Sequence, residues 1–441
     1  LFAKKNNGVF FLRIEDTDQN RFVAGAEEYI MEALEWLGIA PDETIGKNEK
    51  FGPYRQSERK DLYQQYAAEL INSGNAYYAF DTAEALDAAR KLEEEQGKTF
   101  IYNHTNREKL DTSLVISADE TAKRIADGEH YVIRFKTPVN ETLHLHDIIR
   151  GDVKFETNLL DDKVLFKSDG MPTYHLANIV DDHLMETSHV IRGEEWLPSM
   201  PLHVLLYRAF GWKAPEFAHL PLIMKPVGNG KLSKRDGDKM GFPVFPLDWK
   251  TAEGVSSGYR EKGFFPEAVI NFLALLGWND GTDKELFSLE ELVAAFDLNR
   301  VHKAGAKFDP EKNKWFNHQY LIKQEDATLA KAYAPILAEK GFSVDESVLT
   351  KVVSLIKERA HFVSEFWEMS DFFFVAPTAY DEKASKNWKE ETPALMQELI
   401  SVVEEITDFS SMNIETIVKD WMTKNEIGMG KVMQPFRLSL V

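Results

Sequence analysis

The sequence predicts an α/β nucleotide-binding fold that is split by an inserted α+β module and followed by mostly α-helical domains. Short β-branched and aromatic runs alternate with amphipathic helical segments over the first 80 residues. This alternation stops near Asp81 and resumes at Val164. Helical periodicity then persists from Pro310 past Trp421. We therefore expect an interrupted sheet at the amino end and helical domains at the carboxyl end.

The first segment begins with residues 9–14, a hydrophobic run that leads into the acidic stretch 15–18. Such a run predicts a buried strand whose carboxyl end carries acidic side chains. Helical spacing of apolar residues predicts helices over 24–37 and 58–70, each followed by a glycine that is typical of a helix end. The order of strand and helix is that of a nucleotide-binding sheet.

The interruption combines a charged helix, predicted over 83–96, with alternating segments such as 131–135. Strands are predicted again at 164–166 and 189–192, and a helix at 200–210. The clearest later helices are predicted over 266–276, 289–296, 310–315, 326–340 and 348–367. These patterns divide the chain into an α/β domain (1–80 and 163–243), an inserted module (81–162), a helical domain (244–320) and a further helical region (321–441).

Composition narrows the class of protein. A chain of 441 residues favours several domains, and no apolar run approaches the roughly 20 residues of a membrane span. The absence of cysteine excludes disulfides and thiolate zinc sites, and it fits a cytoplasmic protein. With a formal charge of −20, an RNA partner has to meet local basic patches rather than the whole surface.

The chain begins with Leu1, and residues 1–5 have the pattern of a helix end rather than of a signal peptide. We therefore expect an upstream segment.

A cationic motif, Lys231-Leu232-Ser233-Lys234-Arg235, lies between glycine-containing stretches. Two lysines three positions apart on a mobile loop can stabilise phosphates that gain charge in a transition state. The motif lacks the spacing of a P-loop. On these five residues alone, an exposed basic turn is an equally good interpretation.

Four further blocks follow one order along the chain: Arg13-Ile14-Glu15-Asp16-Thr17-Asp18, Gly52-Pro53-Tyr54-Arg55-Gln56-Ser57-Glu58-Arg59, Ser168 to Asn178, and Val190-Ile191-Arg192-Gly193-Glu194-Glu195-Trp196. Together with the cationic motif they resemble the class I aminoacyl-tRNA synthetases of the bacterial glutamyl type, over nearly the whole chain. The resemblance implies a class I Rossmann-like catalytic domain, an inserted module that binds the acceptor stem, a stem-contact domain and helices that bind the anticodon.

The resemblance implies a glutamate pocket formed by Glu15, Tyr174, Asn178 and Arg192. Guanidinium suits a substrate with two carboxylates, and a carboxylate suits its ammonium group. Taken singly, each residue also has a structural interpretation: Tyr174 as core, Asn178 as a helix or turn residue, Glu15 as a surface carboxylate, and Arg192 as the partner of Glu194 or Glu195 in a local ion pair.

The same resemblance implies an ATP site. Its residues are Glu195, Trp196, Leu222, Ile223, Lys231, Ser233, Lys234 and Arg235, with Lys231 and Lys234 catalytic. Leu222 and Ile223 lie on an apolar segment whose backbone could contact adenine, or which could be a buried strand end. Mg²⁺ is expected with ATP. Asp181-Asp182-His183 is expected to serve in capping or ion pairs, and the cysteine-free stretch 77–81 implies no zinc, so no protein-held metal is expected.

The family also has a His-x-Gly-His sequence, which is expected shortly before Leu1; without it, the polypeptide of residues 1–441 is expected to be inactive. The implied partners are L-glutamate, ATP and tRNA-Glu, and we expect a cytoplasmic monomer that binds no membrane. Trp315, which we expect to be exposed near Lys312 and Lys314, and Arg359, on the predicted helix 348–367, are candidate tRNA contacts. The structural alternatives are a core position for Trp315 and a plain surface arginine for Arg359. Two alternatives remain open at this point, a short tRNA-modifying enzyme of the glutamyl-queuosine type and a non-catalytic RNA-binding relative.

Overall fold

The protein, a computed structural model, is described for residues 1–19, 23–251, 254–376, 380, 385–386 and 388–440. It forms two compact units, Leu1–Asn317 and His318–Val441. None of the helices in these described ranges is both long enough and apolar enough to cross a membrane.

The first unit combines helices with short strands. Its helices are α1 (Phe2–Lys5), α2 (Ala26–Trp36), α3 (Lys60–Asn72), α4 (Ala83–Glu95), α5 (Ala118–Ala126), α6 (Tyr174–Leu184), α7 (Met200–Ala209), α8 (Lys234–Met240), α9 (Pro266–Leu275) and α10 (Leu289–Ala295). The division between the units falls within α11 (Pro310–Leu321). The predicted helices 24–37, 83–96, 200–210, 266–276 and 289–296 are confirmed to within two residues.

The strands pair in small sheets. They are β1 (Ala76–Ala79), β2 (Val132–Phe135), β3 (Thr142–Asp147), β4 (Gly151–Glu156), β5 (Val164–Phe166), β6 (His189–Gly193), β7 (Glu216–Leu220), β8 (Ile223–Met224), β9 (Trp249–Thr251), β10 (Gly254–Ser256) and β11 (Ala306–Lys307). The order β1-β2-β5 is antiparallel, β3 and β4 form a hairpin, and β9 pairs with β10 antiparallel. The pairs β6–β7 and β8–β11 are parallel.

Two predicted elements differ from the structure. Residues 9–14 are extended but make only single parallel bridges, from Phe11 to Glu43 and from Ile14 to Arg55, and Val9 is 53% exposed. The predicted buried strand is therefore wrong in extent, because each neighbouring segment pairs with it at one position only. The predicted helix 348–367 is also wrong in length: an α-helix ends at Ile356, followed by 3₁₀ turns at 357–359 and 363–365.

The main core of the first unit lies where α3, α6 and α7 pack on the β1-β2-β5 sheet. Fully buried apolar side chains from these helices and from β5 meet there, including Tyr63, Leu70, Leu165, Leu176 and Leu206. Burial of these apolar side chains stabilises the unit, since the hydrophobic effect scales with apolar area removed from water.

Helix α6 carries a polar stripe through this core. Asn178, Asp181 and Asp182 are buried although they are polar. Together with Tyr174 they follow a three- and four-residue spacing, which places them on one helix face. Buried polar groups require hydrogen-bond partners. The stripe therefore identifies the side of α6 on which a polar site is built.

The second unit is helical in its described part. It contains α12 (Asp326–Glu339), α13 (Glu346–Ile356), α14 (Phe366–Ser370), α15 (Thr392–Glu404), α16 (Ser411–Lys424) and α17 (Met429–Leu440). One cluster joins the last three helices through Met396, Leu399, Met422 and Val432. The predicted helical region 321–441 is confirmed where it is described; residues 377–379, 381–384, 387 and 441 lie outside the described residues.

Candidate active site

The site is organised by the parallel pair of strands β6 and β7. Their register aligns Arg192 with His219. Directly opposed residues of parallel strands project to the same face, so the two side chains meet. Arg192 Nε donates to His219 Nε2 at 3.1 Å.

The Arg192 guanidinium has three further partners. Nη1 lies 3.2 Å from His203 Nδ1 and donates to the Tyr174 hydroxyl at 3.4 Å, and Nη2 donates to the Trp196 carbonyl at 3.4 Å. Its two acidic sequence neighbours are engaged elsewhere: Glu194 pairs with Arg150, and Glu195 with Lys231. The local ion-pair interpretation of Arg192 is therefore wrong.

Tyr174 connects Arg192 to a second cation. The Tyr174 hydroxyl also accepts from Asn178 Nδ2 at 3.3 Å, and the Asn178 carbonyl oxygen accepts from Arg13 Nη2. Arg13 Nη2 in turn binds Glu15 Oε1 at 2.9 Å. The four residues expected to bind glutamate are thus joined in one hydrogen-bonded cluster, although Glu15 reaches it through Arg13. Burial raises the pKa of Tyr174, which stays a neutral hydroxyl.

Arg13 is held by carboxylates of α6. Its Nη1 lies 3.0 Å from Asp182 Oδ1, and its Nε lies 3.7 Å from Asp181 Oδ2. Asp181 also accepts from Arg59 at 2.8 Å and from Tyr63 at 2.7 Å. The ion-pair role expected for Asp181-Asp182-His183 is confirmed for the two aspartates, whereas the His183 ring stacks on Trp212. Burial lowers the pKa of Arg13, but the nearby carboxylates outweigh it and raise that pKa overall.

Two histidines back the Arg192 side of the cluster. His203 on α7 lies 3.0 Å from His175 on α6, between their Nε2 and Nδ1 atoms. Burial, assisted by the charge of Arg192, lowers the pKa of His203 well below its usual value. Burial also lowers the pKa of His175 to about 4, with a smaller contribution from Lys163. Both rings are therefore neutral near pH 7.

Behind His219 lies Asp147, at the end of β3. The two side chains are fully buried, and His219 Nδ1 lies 2.6 Å from Asp147 Oδ2. Burial alone would raise the pKa of Asp147, but hydrogen bonds from His219 and from the Arg150 and His219 backbone lower it overall. Asp147 is the anionic end of a chain that leads through His219 to Arg192.

The expected ATP residues adjoin this cluster. The Trp196 ring packs 4.5 Å from the Tyr174 ring and is 38% exposed. Its neighbour Glu195 accepts a hydrogen bond from Lys231, which lowers the pKa of Glu195. Gly193 permits this arrangement, because a Cβ there would lie 2.1 Å from Glu195 Oε2.

The cationic motif differs from the expected loop. Helix α8 begins at Lys234, so the motif straddles a helix start, and Ser233 and Asp236 form a capping box. Hydrogen bonds from Ser233 and Lys225 lower the pKa of Asp236 to about 2. The description of all five residues as a loop is therefore wrong, because the capping sequence nucleates a short helix.

Leu222 and Ile223 lie at the edge of the parallel pair β8–β11. The Leu222 N–H donates to Glu194 Oε1 at 3.2 Å, and its carbonyl accepts from Ala306. An adenine would have to replace the first of these bonds to use the Leu222 N–H. Ile223 is 37% exposed.

The two expected RNA contacts occupy different surroundings. Trp315 on α11 is half-buried, packs edge-on against Phe316 and carries Lys312 Nζ at 3.8 Å from its ring. Its description as exposed is therefore wrong, since it packs against its own helix. Arg359 is exposed and lies in the 3₁₀ turn 357–359, rather than on the long helix that was expected.

Sequence reasoning missed five residues of the cluster: Arg13, Asp147, His175, His203 and His219. Arg13 and His175 lie within quoted motifs, His219 lies shortly before Leu222 and Ile223, and the polar stripe of α6 indicates a buried cation opposite it. Asp147 and His203 left no signal, since their roles depend on contacts between segments far apart in the chain. Across the described ranges, no three His, Asp or Glu residues are grouped so that they could hold a metal ion.

Comparisons with known proteins identify the family of this chain. Residues 1–315 match the family described as tRNA synthetases class I (E and Q), catalytic domain, and residues 327–441 match an anticodon binding domain. The whole chain is 87% identical to a glutamate–tRNA ligase of Flavobacterium johnsoniae, covering 88% of that protein. The chain belongs to the class I glutamate–tRNA ligases. Both the catalytic and the helical carboxyl-terminal parts of this ligase family are present.

Further relatives of this ligase support the assignment. A glutamate–tRNA ligase of Christiangramia forsetii is 61% identical to this chain; the match includes all of this chain and 88% of that ligase. A crystal structure of a glutamate tRNA ligase from Elizabethkingia meningosepticum in complex with its amino acid is 52% identical, with a TM-score of 0.96; all of this chain and 88% of that one are covered. The matches give no support to the tRNA-modifying or non-catalytic alternatives.

Proposed function

We propose that the chain attaches L-glutamate to tRNA-Glu in two steps. In the first, a glutamate carboxylate oxygen attacks the α-phosphate of ATP and displaces pyrophosphate, giving glutamyl-adenylate. In the second, a terminal ribose hydroxyl of the tRNA takes the glutamyl group and AMP leaves. The observation that carries this proposal is the hydrogen-bonded cluster of Glu15, Tyr174, Asn178 and Arg192, next to the Glu195–Lys231 pair.

The cluster suits glutamate because it has two ends of opposite character. Arg192 contacts neutral groups and keeps its positive charge for a substrate carboxylate. Glu15, which is 39% exposed, supplies a carboxylate for the substrate ammonium group. Tyr174 and Asn178 lie between them and supply neutral hydrogen bonds that fix the orientation of the substrate. An open cavity of about 380 Å³ borders this cluster at Tyr174; its other lining residues are Arg134, Asp161, Lys163, Val164, Thr173, His175 and Trp196.

ATP, bound together with Mg²⁺ as its counter-ion, occupies the neighbouring side in this proposal. Trp196, Leu222 and Ile223 form its apolar edge, and Glu195, Ser233 and Arg235 line its polar edge. Lys231 and Lys234 stabilise charge on the triphosphate as pyrophosphate leaves. Lys231 pairs with Glu195, so ATP binding exchanges one anionic partner of Lys231 for another.

We also propose a role for each domain of the chain. The catalytic domain is a Rossmann-like sheet over 1–80 and 163–243, split by an acceptor-stem module over 81–162. A stem-contact domain follows over 244–320, and 321–441 bind the anticodon. Trp315 and Arg359 contact tRNA, since an aromatic ring under a lysine and an exposed arginine both suit RNA. The protein acts as a monomer in the cytoplasm, where charged tRNA is used.

Lys234→Ala in the complete gene product tests the catalytic assignment. Lys234 is exposed, and its Nζ lies 4.7 Å from the Phe245 ring. Loss of a charge that acts only in the transition state lowers the single-turnover rate of adenylate formation by about a hundredfold or more. Glutamate binding, measured by calorimetry, stays within about twofold.

Lys239→Ala is the matched control, because Lys239 is an exposed lysine in the last turn of the same helix. It is expected to leave the rate unchanged. Equal rates for Lys234→Ala and the control, with tRNA-Glu present, would remove Lys234 from the mechanism.

A further inference from the structure

The Arg192 guanidinium is hydrogen-bonded to a buried histidine–aspartate pair, His219 and Asp147. Arg192 Nε donates to His219 Nε2 at 3.1 Å, and His219 Nδ1 lies 2.6 Å from Asp147 Oδ2. Both side chains of the pair are fully buried. The pair is remote from the Glu15 end of the cluster and is not among the residues expected to touch glutamate or ATP.

The geometry fixes the protonation of His219. Guanidinium nitrogens donate hydrogen bonds and never accept them, so His219 Nε2 has to be an unprotonated acceptor. The imidazole proton therefore resides on Nδ1, where Asp147 accepts it. By accepting the Nδ1 proton, the Asp147 carboxylate favours the tautomer of His219 that Arg192 requires.

Asp147 is itself fixed by the backbone. Its Oδ1 accepts from the N–H groups of Ile149 at 3.0 Å and Arg150 at 2.8 Å, and its Oδ2 accepts from the His219 N–H at 3.1 Å. These donors come from the turn after β3 and from β7, so the carboxylate cannot rotate without losing several bonds. The orientation of Arg192 is thus tied to two strands.

We propose that His219, oriented by Asp147, is a positioning residue that holds the Arg192 guanidinium for the substrate carboxylate and so strengthens selection of glutamate over glutamine. This inference rests on the proposed role of Arg192 in glutamate binding. Neither His219 nor Asp147 touches the substrate in this account.

A histidine in this place has a physical advantage over a carboxylate. A carboxylate in contact with Arg192 would orient it but would also neutralise its charge at short range. The imidazole supplies the same acceptor while keeping the Asp147 charge one ring further away, and Coulomb attraction falls with distance. His203 acts likewise, as a neutral acceptor 3.2 Å from Nη1. Arg192 is therefore oriented and still carries charge for a ligand.

Substitutions at both positions test the inference in the complete gene product. Asp147→Asn is isosteric, but its amide favours the other tautomer of His219 and turns an N–H toward Arg192 Nε. His219→Leu removes the acceptor. Each is expected to raise the KM for glutamate about tenfold and to lower the ratio of the glutamine Ki to the glutamate KM about tenfold. The KM for ATP is expected to stay within about twofold.

Two controls separate positioning from general damage. His219→Gln keeps an acceptor for Arg192 and a donor for Asp147. It is therefore expected to keep the glutamate KM and the glutamine Ki within about threefold of their values in the original protein. Asp152→Asn alters the exposed His146–Asp152 pair, which lies next to Asp147 on the β3–β4 hairpin, and is expected to change neither constant. KM and Ki do not depend on how much of a variant is folded, so partial misfolding does not imitate the effect.

The tautomer gives a readout that needs no substrate. Nitrogen-15 NMR of histidine-labelled protein, with His219→Gln identifying the resonance, is expected to show His219 protonated on Nδ1. A proton on Nε2, or unchanged KM and Ki in Asp147→Asn and His219→Leu, would overturn the inference.

Arg192→Gln distinguishes this outcome from a failure of the proposed function. If it leaves the glutamate KM unchanged, the proposed glutamate pocket is wrong. If it raises that KM while Asp147→Asn and His219→Leu do not, only the positioning role is wrong.

Discussion

Arg13 and Arg192 both reach the Tyr174–Asn178 pair, but their partners differ in charge. Arg13 contacts the carboxylates of Glu15, Asp181 and Asp182. In the described chain, the hydrogen-bond partners of Arg192 are the rings of His203 and His219, the Tyr174 hydroxyl and the Trp196 carbonyl, all neutral. One guanidinium is compensated by protein anions, whereas the other is oriented without being compensated.

The difference separates a structural cation from a binding cation. Burying the carboxylates of α6 is costly unless a positive charge accompanies them, and Arg13 supplies it. The hydrogen-bond partners of Arg192 are neutral, so its charge remains for an anionic ligand. The comparison predicts that the two arginines respond differently to substitution, one mainly in stability and the other mainly in substrate affinity.

Arg13→Met carries the largest expected effect. It leaves Asp182 buried without its cation, while Asp181 keeps Arg59. Breaking a buried pair in this way costs about 3–5 kcal/mol of unfolding free energy, measured in urea. Arg90→Met, at an exposed pair with Asp87, is the control and is expected to cost no more than about 0.5 kcal/mol. Similar losses in the two variants would contradict the assignment of Arg13.

Arg192→Gln reverses the pattern. The glutamate KM is expected to rise about thirtyfold to a hundredfold, because a charge-assisted hydrogen bond contributes about 2–3 kcal/mol. Its cost in unfolding free energy, about 1–2 kcal/mol for acceptors left without a donor, is smaller than that of Arg13→Met. Steady-state aminoacylation and urea unfolding of both variants check this. A larger stability loss than in Arg13→Met would reverse the comparison.

The smallest effect concerns pH and the neutral partners of Arg192. The folded-state pKa of His175 is about 4, below the ordinary value of 6.5, so the unfolded chain binds its proton more readily. The stability that His175 contributes is complete above about pH 6.5 and is lost as pH falls toward 4. His175→Asn is expected to show a shallower fall in unfolding free energy over this range. Parallel pH profiles would contradict the neutral assignment.

Much of the fold was predictable, because apolar spacing alone locates amphipathic helices such as α4, α7 and α9. Sequence patterns gave wrong element bounds where contacts with neighbouring segments decide the structure. Residues 9–14 have the composition of a buried strand, yet single bridges leave Val9 exposed. The segment 348–367 keeps helical spacing although its α-helix ends at Ile356. Neither outcome can be found in local composition.

Some residues of the site were predictable from the sequence and others were not. Glu15, Tyr174, Asn178 and Arg192 were identified through a family resemblance, and the structure joins them by hydrogen bonds. Their assignment to glutamate stays a prediction. Asp147 and His203 could not be found from the sequence, because they meet Arg192 or His219 only through strand register and helix packing.

The central claim is that the uncompensated charge of Arg192 selects a carboxylate. Its most direct test is the ratio of the glutamine Ki to the glutamate KM in the original protein and in Arg192→Gln, with tRNA-Glu present. The account predicts that the ratio falls by at least about tenfold, because glutamate loses its cation while neutral glutamine loses little. An unchanged ratio, with both constants raised equally, would show that Arg192 shapes the pocket without reading charge.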